Sequence, residues 1–306
     1  MERIVALQID HIDSLNYESD TSIFLAEELE RRGYKIFYYT PAELTFDTHL
    51  SARGTFVSFT NGFYRKIGDD VKLDLARASI VMIRQNPPFN QQYLTNTYLL
   101  DLLPKSTITL NNPEAIRRFP EKLSALHFPD FIPKTMVSSN YENLKAFYKA
   151  VGKAVLKPIY GFGGQDVALI DSEQKFQDLV PLYLDKFGEC ILQEYLPSVK
   201  TQGDKRVLIA GGKVVGALSR MPQEGNFIAN MAAGGKPSVT TLTGAELDIS
   251  NKVAKHLSEQ GIFLAGVDLI DSKLIEINVT SPTGFKVFSK ISGERTDKLI
   301  IDMLLK

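Results

Sequence analysis

Along the first third of the chain, short apolar runs alternate with stretches whose apolar residues recur at helical spacing. Residues 4–9 read as a buried strand. Asp20, Thr21 and Ser22 can cap a helix in which Ile23, Ala26 and Leu29 share a face, and Gly33 stops it. Residues 35–39 start a second strand. From Thr40 to about Ala78 the pattern has no clear period, so irregular structure is expected there. Residues 79–84 read as a third strand, closed by Pro87 and Pro88, residues 90–103 as a helix, and residues 106–110 as a fourth strand. Strands separated by helices predict an open α/β domain on a parallel sheet. Such sheets seat ligands at the carboxyl ends of their strands, where Asp10, Arg84, Asn111 and Asn112 fall.

Pro113, Pro120, Pro129 and Pro133 turn residues 113–140 into a connection, with a short helix opening at Glu121-Lys122-Leu123. A helix capped by Asn140 follows over residues 140–151. Residues 154–170 then read as strand, glycine-rich loop, strand. The loop holds Gly161, Gly163 and Gly164, and Lys157 ends the first strand. The stretch lacks the Gly-Lys-Ser/Thr of a P-loop. Backbone N–H groups of a glycine hairpin can still approach phosphates, with Lys157 supplying charge; the alternative is a flexible hairpin with a surface lysine. Residues 190–194 form a strand leading into Tyr195-Leu196-Pro197, a turn of the kind that can hold an adenine edge. Residues 205–210 and 213–218 pair about Gly211-Gly212, with Arg206 near one end and Arg220 just past the other. Residues 221–237 are rich in glycine and small residues, which suits a mobile lid. Residues 245–260 and 294–305 are amphipathic helices.

Residues 267–284 concentrate the candidate chemistry. Two apolar runs flank a polar turn, the pattern of a β-hairpin. With Asp271-Ser272-Lys273 as a three-residue loop, Ile270 faces Leu274 and Asp268 faces Glu276. Glu276, Asn278 and Asp268 then share one face, and Leu269, Ile275, Ile277 and Val279 the buried one. Facing carboxylates are unfavourable unless a cation lies between them, and hard oxygens suit Mg²⁺ held jointly with phosphates. The alternative is a half-exposed hairpin with ordinary polar residues.

Composition narrows the partners. The 306 residues exceed one small core, so two or three compact units are expected. Thirty-five Lys and Arg nearly cancel 36 Asp and Glu, leaving a net charge of −1, which favours neither nucleic acid nor an anionic membrane. Cys190 is the single cysteine, so no internal disulfide forms; a reducing, cytoplasmic compartment is expected. No apolar run reaches membrane-spanning length, and the first ten residues are too short and charged for a signal peptide. His11, His49, His127 and His256 show no ligand spacing, and none is assigned to catalysis.

In their order these segments resemble the ATP-grasp ligases, and specifically the bacterial-type glutathione synthetases. The resemblance is carried by Ile83–Phe89, Pro120-Glu121-Lys122-Leu123, Val155-Leu156-Lys157-Pro158 with its glycine loop, Gly203-Asp204-Lys205-Arg206, Ala232-Ala233-Gly234-Gly235 and residues 274–284. It implies an N-terminal open parallel α/β domain (1–120) and two ATP-grasp subdomains with antiparallel sheets (121–200, 201–306). By position it assigns Lys122, Lys157, Gly161, Gly163 and Gly164 to the phosphates of ATP, Glu194, Tyr195 and Leu196 to adenine, and Asp204 to the ribose or an adjacent polar group. Arg206 and Arg220 look like the catalytic pair. With Asn278 and Ser281, and with Arg84, they would anchor substrate carboxylates and the acyl-phosphate. Mg²⁺, with Mn²⁺ as substitute, would lie on Asp268, Glu276 and Asn278. The implied reaction joins γ-glutamylcysteine to glycine with ATP, in a cytoplasmic homo-oligomer, a tetramer by family analogy.

Some positions depart from the family pattern. Ile228 stands where arginine is common in the lid, His11 and Asn86 where proline and aspartate are usual, Gln85 where lysine also occurs, and Lys286 where arginine is common. The ATP and metal positions are intact, so altered acceptor choice or lid closure is expected. The competing readings are an ATP-grasp ligase with another amino-acid acceptor and a non-catalytic ATP-binding protein.

Overall fold

The computed structural model describes residues 3–60, 63–223 and 236–306, whose strands form three sheets. The first sheet is built from β1 (Ile4–Gln8), α1 (Thr21–Arg31), β2 (Lys35–Tyr39), β3 (Leu44–Phe46), β4 (Leu50–Thr60), β5 (Phe63–Asp74), β6 (Ile80–Ile83), α2 (Gln91–Leu100), β7 (Ile108–Leu110) and α3 (Pro113–Arg118). Strands β2, β1, β6 and β7 run parallel, and β1 is buried along its whole length because helices cover both faces. Asp20 caps α1 by accepting from Ile23 N at 2.8 Å.

The region expected to be irregular contains the long antiparallel hairpin β4–β5, which extends the sheet beyond β2. The correction has a physical reason. Residues 65–72 of β5 lie on the outer edge and are exposed on both faces, so no apolar alternation marks the strand. A bulge at Gly68 (φ +78°) and the Lys66–Asp70 ion pair at 2.7 Å break its edge.

The second sheet, of order β10-β9-β11-β8, is antiparallel. It comprises β8 (Thr135–Ser138), α4 (Tyr141–Val151), β9 (Ala154–Lys157), β10 (Ala168–Ile170), α5 (Glu173–Phe187), β11 (Cys190–Glu194) and the short α6 (Val199–Gln202). Leu144 and Tyr148 of α4 and Phe176 and Val180 of α5 pack on one face. The other face is left for the cavity.

The third sheet, of order β14-β13-β12-β15-β16, is also antiparallel. Its elements are β12 (Asp204–Ala210), β13 (Lys213–Met221), β14 (Lys236–Val239), α7 (Gly244–Glu259), β15 (Leu264–Ile270), β16 (Lys273–Asn278), α8 (Phe285–Ser292) and α9 (Thr296–Leu304). Strand β12 alternates: Val207 and Ile209 face α7, whereas Leu208 and Ala210 join Phe285, Phe288, Ile300 and Ile301 in a core shared with α1 and β1. That shared core ties the third sheet to the first. Helix α8 lies outside the elements the sequence pattern predicts; Phe285 and Phe288 at i, i+3 and the left-handed Gly293 mark it. The lid stretch with Ile228, and residues 232–235, lie outside the described residues.

Candidate active site

The second and third sheets face one another across a cavity of about 320 Å³, within the range of ligand sites. Its floor is the β15–β16 hairpin. The turn there has two residues, Asp271 and Ser272, both left-handed (φ 51° and 57°), so Ile270 pairs with Lys273 and not, as expected, with Leu274. A bulge between Asp268 and Leu269 then shifts the register, and Asp268 still faces Glu276. The bulge also corrects Ile275: it lines the cavity, and Leu274 takes the buried position, fully enclosed.

The carboxylates are held differently from each other. Asp268 receives both Nε and Nη2 of Arg206, at 2.5 and 3.0 Å, and Arg220 at 3.0 Å. Burial pushes its carboxyl up, but the two guanidinium groups outweigh that and hold it down at about 2. Arg220 also grips Asp204 through two bonds of 2.7 and 2.6 Å. Burial raises the Asp204 carboxyl in spite of that partner. Two arginines and two aspartates on β12, β13 and β15 thus balance one another inside the wall.

Glu276 accepts no hydrogen bond among the described residues, and its nearest cation is Lys122 at 3.5 Å. Asn278 turns its Nδ2 toward Gly266 O and Asp268 Oδ2, both at 3.2 Å, which leaves Oδ1 without a protein donor among the described residues. No three His, Cys, Asp or Glu side chains gather to hold a metal among the described residues. Asp268, Glu276 and Asn278 Oδ1 are therefore an incomplete set of hard donors. Such a set fits a divalent cation whose remaining positions come from ligand oxygens.

Opposite the hairpin, Lys157 donates to Gln193 Oε1 at 2.7 Å, and Gln193 Nε2 donates to Thr135 Oγ1 at 3.0 Å. Burial lowers Lys157 to about 8; Lys122 adds to that, while Glu276 and Asp268 resist it. Lys122 donates to the Gly161 carbonyl and so reaches both the glycine loop and the hairpin. Gly163 and Gly164 have φ of 61° and 83°, conformations that cost a residue with a Cβ. Where β11 ends, Glu194 N and Tyr195 N donate to Lys134 O and Lys153 O, which leaves Leu196 N as a donor with no partner among the described residues.

The cavity wall thus gathers Lys122, Lys157, the three loop glycines, Glu194, Tyr195, Leu196, Asp204, Arg206, Arg220, Asp268, Glu276, Asn278 and Ser281. Arg84 is not in the wall. It is buried behind it, donating to Ser22 Oγ and Pro282 O, while Ser281 Oγ donates to Arg84 O. Of the departing positions, Asn86 lines the cavity, whereas Gln85 is buried against Gln8, His11 is exposed, and Lys286 donates to Tyr17 O. Sequence reading missed Gln193 and Glu121 in the wall. Their only signal was position, one residue before Glu194 and one before Lys122.

Two antiparallel sheets closing on a cavity of lysines, loop glycines and a carboxylate hairpin define an ATP-grasp protein. D-cycloserine synthetase DcsG shares this fold, with a TM-score of 0.70 at 15% identity over 98% of this chain and 99% of that one. The ATP-grasp ligase PsnB, whose structure holds Mg and ADP, superposes with a TM-score of 0.63 at 15% identity, over 100% and 98% of the two chains. Residues 4–117 match the prokaryotic glutathione synthetase N-terminal domain and residues 121–293 its ATP-grasp domain. A glutathione synthetase from Brucella melitensis is 36% identical over 303 residues, 97% of either chain. The chain belongs to the prokaryotic glutathione synthetase family, and it is an ATP-dependent carboxylate–amine ligase.

Proposed function

We propose that this ligase joins γ-glutamylcysteine to glycine, giving glutathione, ADP and phosphate. The observation that carries the reading is one cavity holding two lysines, a glycine loop and an incomplete hard-oxygen donor set, in a chain matched by its family along nearly its full length. Lys122, Lys157 and the N–H groups of the 161–164 loop take the phosphates. Leu196 N meets the adenine edge within Glu194-Tyr195-Leu196, and Asp204 lies toward the ribose. Asp268, Glu276 and Asn278 would hold Mg²⁺ or Mn²⁺, which would neutralise charge on the phosphate oxygens and so ease approach of an anionic nucleophile to the γ-phosphorus.

The dipeptide carboxylate attacks the γ-phosphorus, the bond to ADP breaks, and an acyl-phosphate results. The glycine amine, as its free base, then attacks the acyl carbon, the acyl C–O bond breaks, and inorganic phosphate leaves with the former carboxylate oxygen and the proton lost by the nitrogen. Arg206 and Arg220 steady the anionic oxygens of both steps, each released in part from its aspartate as phosphate charge arrives. Ser281 and Asn278 border the same oxygens. Arg84 acts from behind the wall by setting the 281–283 turn. The functional units divide at 1–120, 121–200 and 201–306. The enzyme works in the cytoplasm, as a homotetramer.

A second reading, an acceptor other than glycine, rests on Asn86 in the cavity wall where the family usually carries aspartate. ADP release with γ-glutamylcysteine and glycine, serine or alanine separates the two. Preference for glycine carries the first reading and preference for serine or alanine the second. No ADP with any pair overturns both.

A further inference from the structure

Strand β16 carries Glu276 and Asn278 but is the edge of its sheet, so its outward backbone donors have no strand to pair with. The connection between the first and second sheets covers that edge. Leu274 N donates to Phe131 O at 2.8 Å and Ile277 N to Glu121 O at 3.1 Å. Where the strand ends, a side chain replaces the backbone: Glu121 Oε1 accepts Val279 N at 2.9 Å, Thr280 N at 3.1 Å and Thr280 Oγ1 at 2.7 Å. Three donors converge on one carboxylate oxygen, an arrangement that fixes direction as well as distance.

Glu121 is also the residue before Lys122, whose ammonium reaches Glu276 and the Gly161 carbonyl. One dipeptide therefore clamps the hairpin from its edge and touches the glycine loop from its middle. Glu121 lines the cavity too, where burial and then the nearby Glu276 push its carboxyl up.

We propose that Glu121 is a positioning residue for the ligase reaction: by holding Val279 and Thr280 it sets where Asn278 and Glu276 present their oxygens relative to Lys122. It touches none of the reacting atoms. The inference rests on the reading of Asp268, Glu276 and Asn278 as the divalent-cation and nucleotide site. Supporting groups of this kind are worth roughly 10–100-fold in metal affinity or activity.

The test compares Glu121→Gln, Glu121→Ala and Thr280→Val with the parent full-length chain. ADP binding is measured by calorimetry at several Mg²⁺ concentrations, and thermal unfolding is followed alongside. Glu121→Ala is expected to raise the Mg²⁺ concentration at which ADP binding is half-maximal by roughly tenfold or more. Glu121→Gln, whose amide oxygen accepts the same donors, is expected to recover most of that loss, and Thr280→Val to fall between. Half-maximal Mg²⁺ within twofold of the parent in both Glu121→Ala and Thr280→Val overturns the proposal. So does equal impairment of Glu121→Gln and Glu121→Ala, since charge and not acceptor geometry would then be responsible. Unfolding of Glu121→Ala at the assay temperature shifts the decision to Thr280→Val and Glu121→Gln, to which the same limits apply. Because ADP binding needs no acceptor amino acid, failure of glutathione synthesis is seen separately, as normal Mg·ADP binding without turnover.

Discussion

The guanidinium of Arg206 grips both carboxylate oxygens of Asp268, so the residue we propose as a metal ligand already holds an internal cation. Removing the carboxylate charge leaves Arg206 without its buried partner and Arg220 with Asp204 alone. Asp268→Asn is expected to lower Mg²⁺-dependent ADP release by about a hundredfold and to cost roughly 3–5 kcal/mol of stability. Turnover and urea unfolding of the same preparation check both. A variant that turns over normally would place the cation elsewhere.

Lys157 gives the site a pH dependence. Burial lowers it to about 8, so the free enzyme carries the charge below that pH and loses it above. The unfolded chain keeps a lysine proton to about 10.4. Between those values the unfolded chain binds more protons, and this residue's contribution to stability rises with pH. Its contribution to ATP binding runs the opposite way. The KM for ATP is expected to rise about tenfold from pH 7 to pH 9, as the charged fraction falls. Lys157→Arg, which keeps its charge, should flatten that limb.

Gln193 determines where the Lys157 ammonium points, since it accepts from Lys157 while donating to Thr135 Oγ1. Gln193→Leu should weaken ATP binding by roughly three- to tenfold, the worth of about one hydrogen bond. Gln193→Glu should instead move the basic limb of the pH profile upward, because an added carboxylate favours the charged lysine. Titration of KM against pH for both variants separates orientation from charge.

Asn111 joins the end of β7 to both ends of the hairpin. Its amide donates to Leu264 O and Val279 O, each at 2.8 Å, and accepts from Phe263 N and Leu264 N at 2.8 and 2.7 Å. The residue is buried, so Asn111→Ala leaves four backbone groups without this partner, three of them in buried contacts. A loss of about 3 kcal/mol or more is expected in the urea midpoint. Glu121→Ala, which breaks a partly open contact, should cost less stability than Asn111→Ala.

Much of this architecture is written locally. The buried run of β1, the Asp20 and Asn140 caps, the glycine loop after Lys157 and the β15–β16 hairpin all follow from period, capping and turn chemistry within a few residues. The likeness of the ordered motifs to one family supplied the reaction class as well. Tertiary structure alone decided the rest. Residues 65–72 of the outer strand β5 are exposed on both faces, Ile67 and Val71 included, because the strand is an edge, and a window of sequence carries no record of what lies beside it. The Asp268–Glu276 pairing survives a two-residue turn only through a bulge, which sent Ile275 to the cavity and Leu274 to the core. Arg206 and Arg220 proved to be bound to Asp268 and Asp204, and Arg84 to lie behind the wall. Glu121 meets Thr280 across 159 positions of chain. Contacts that distant depend on how whole sheets pack, and no local propensity encodes that arrangement.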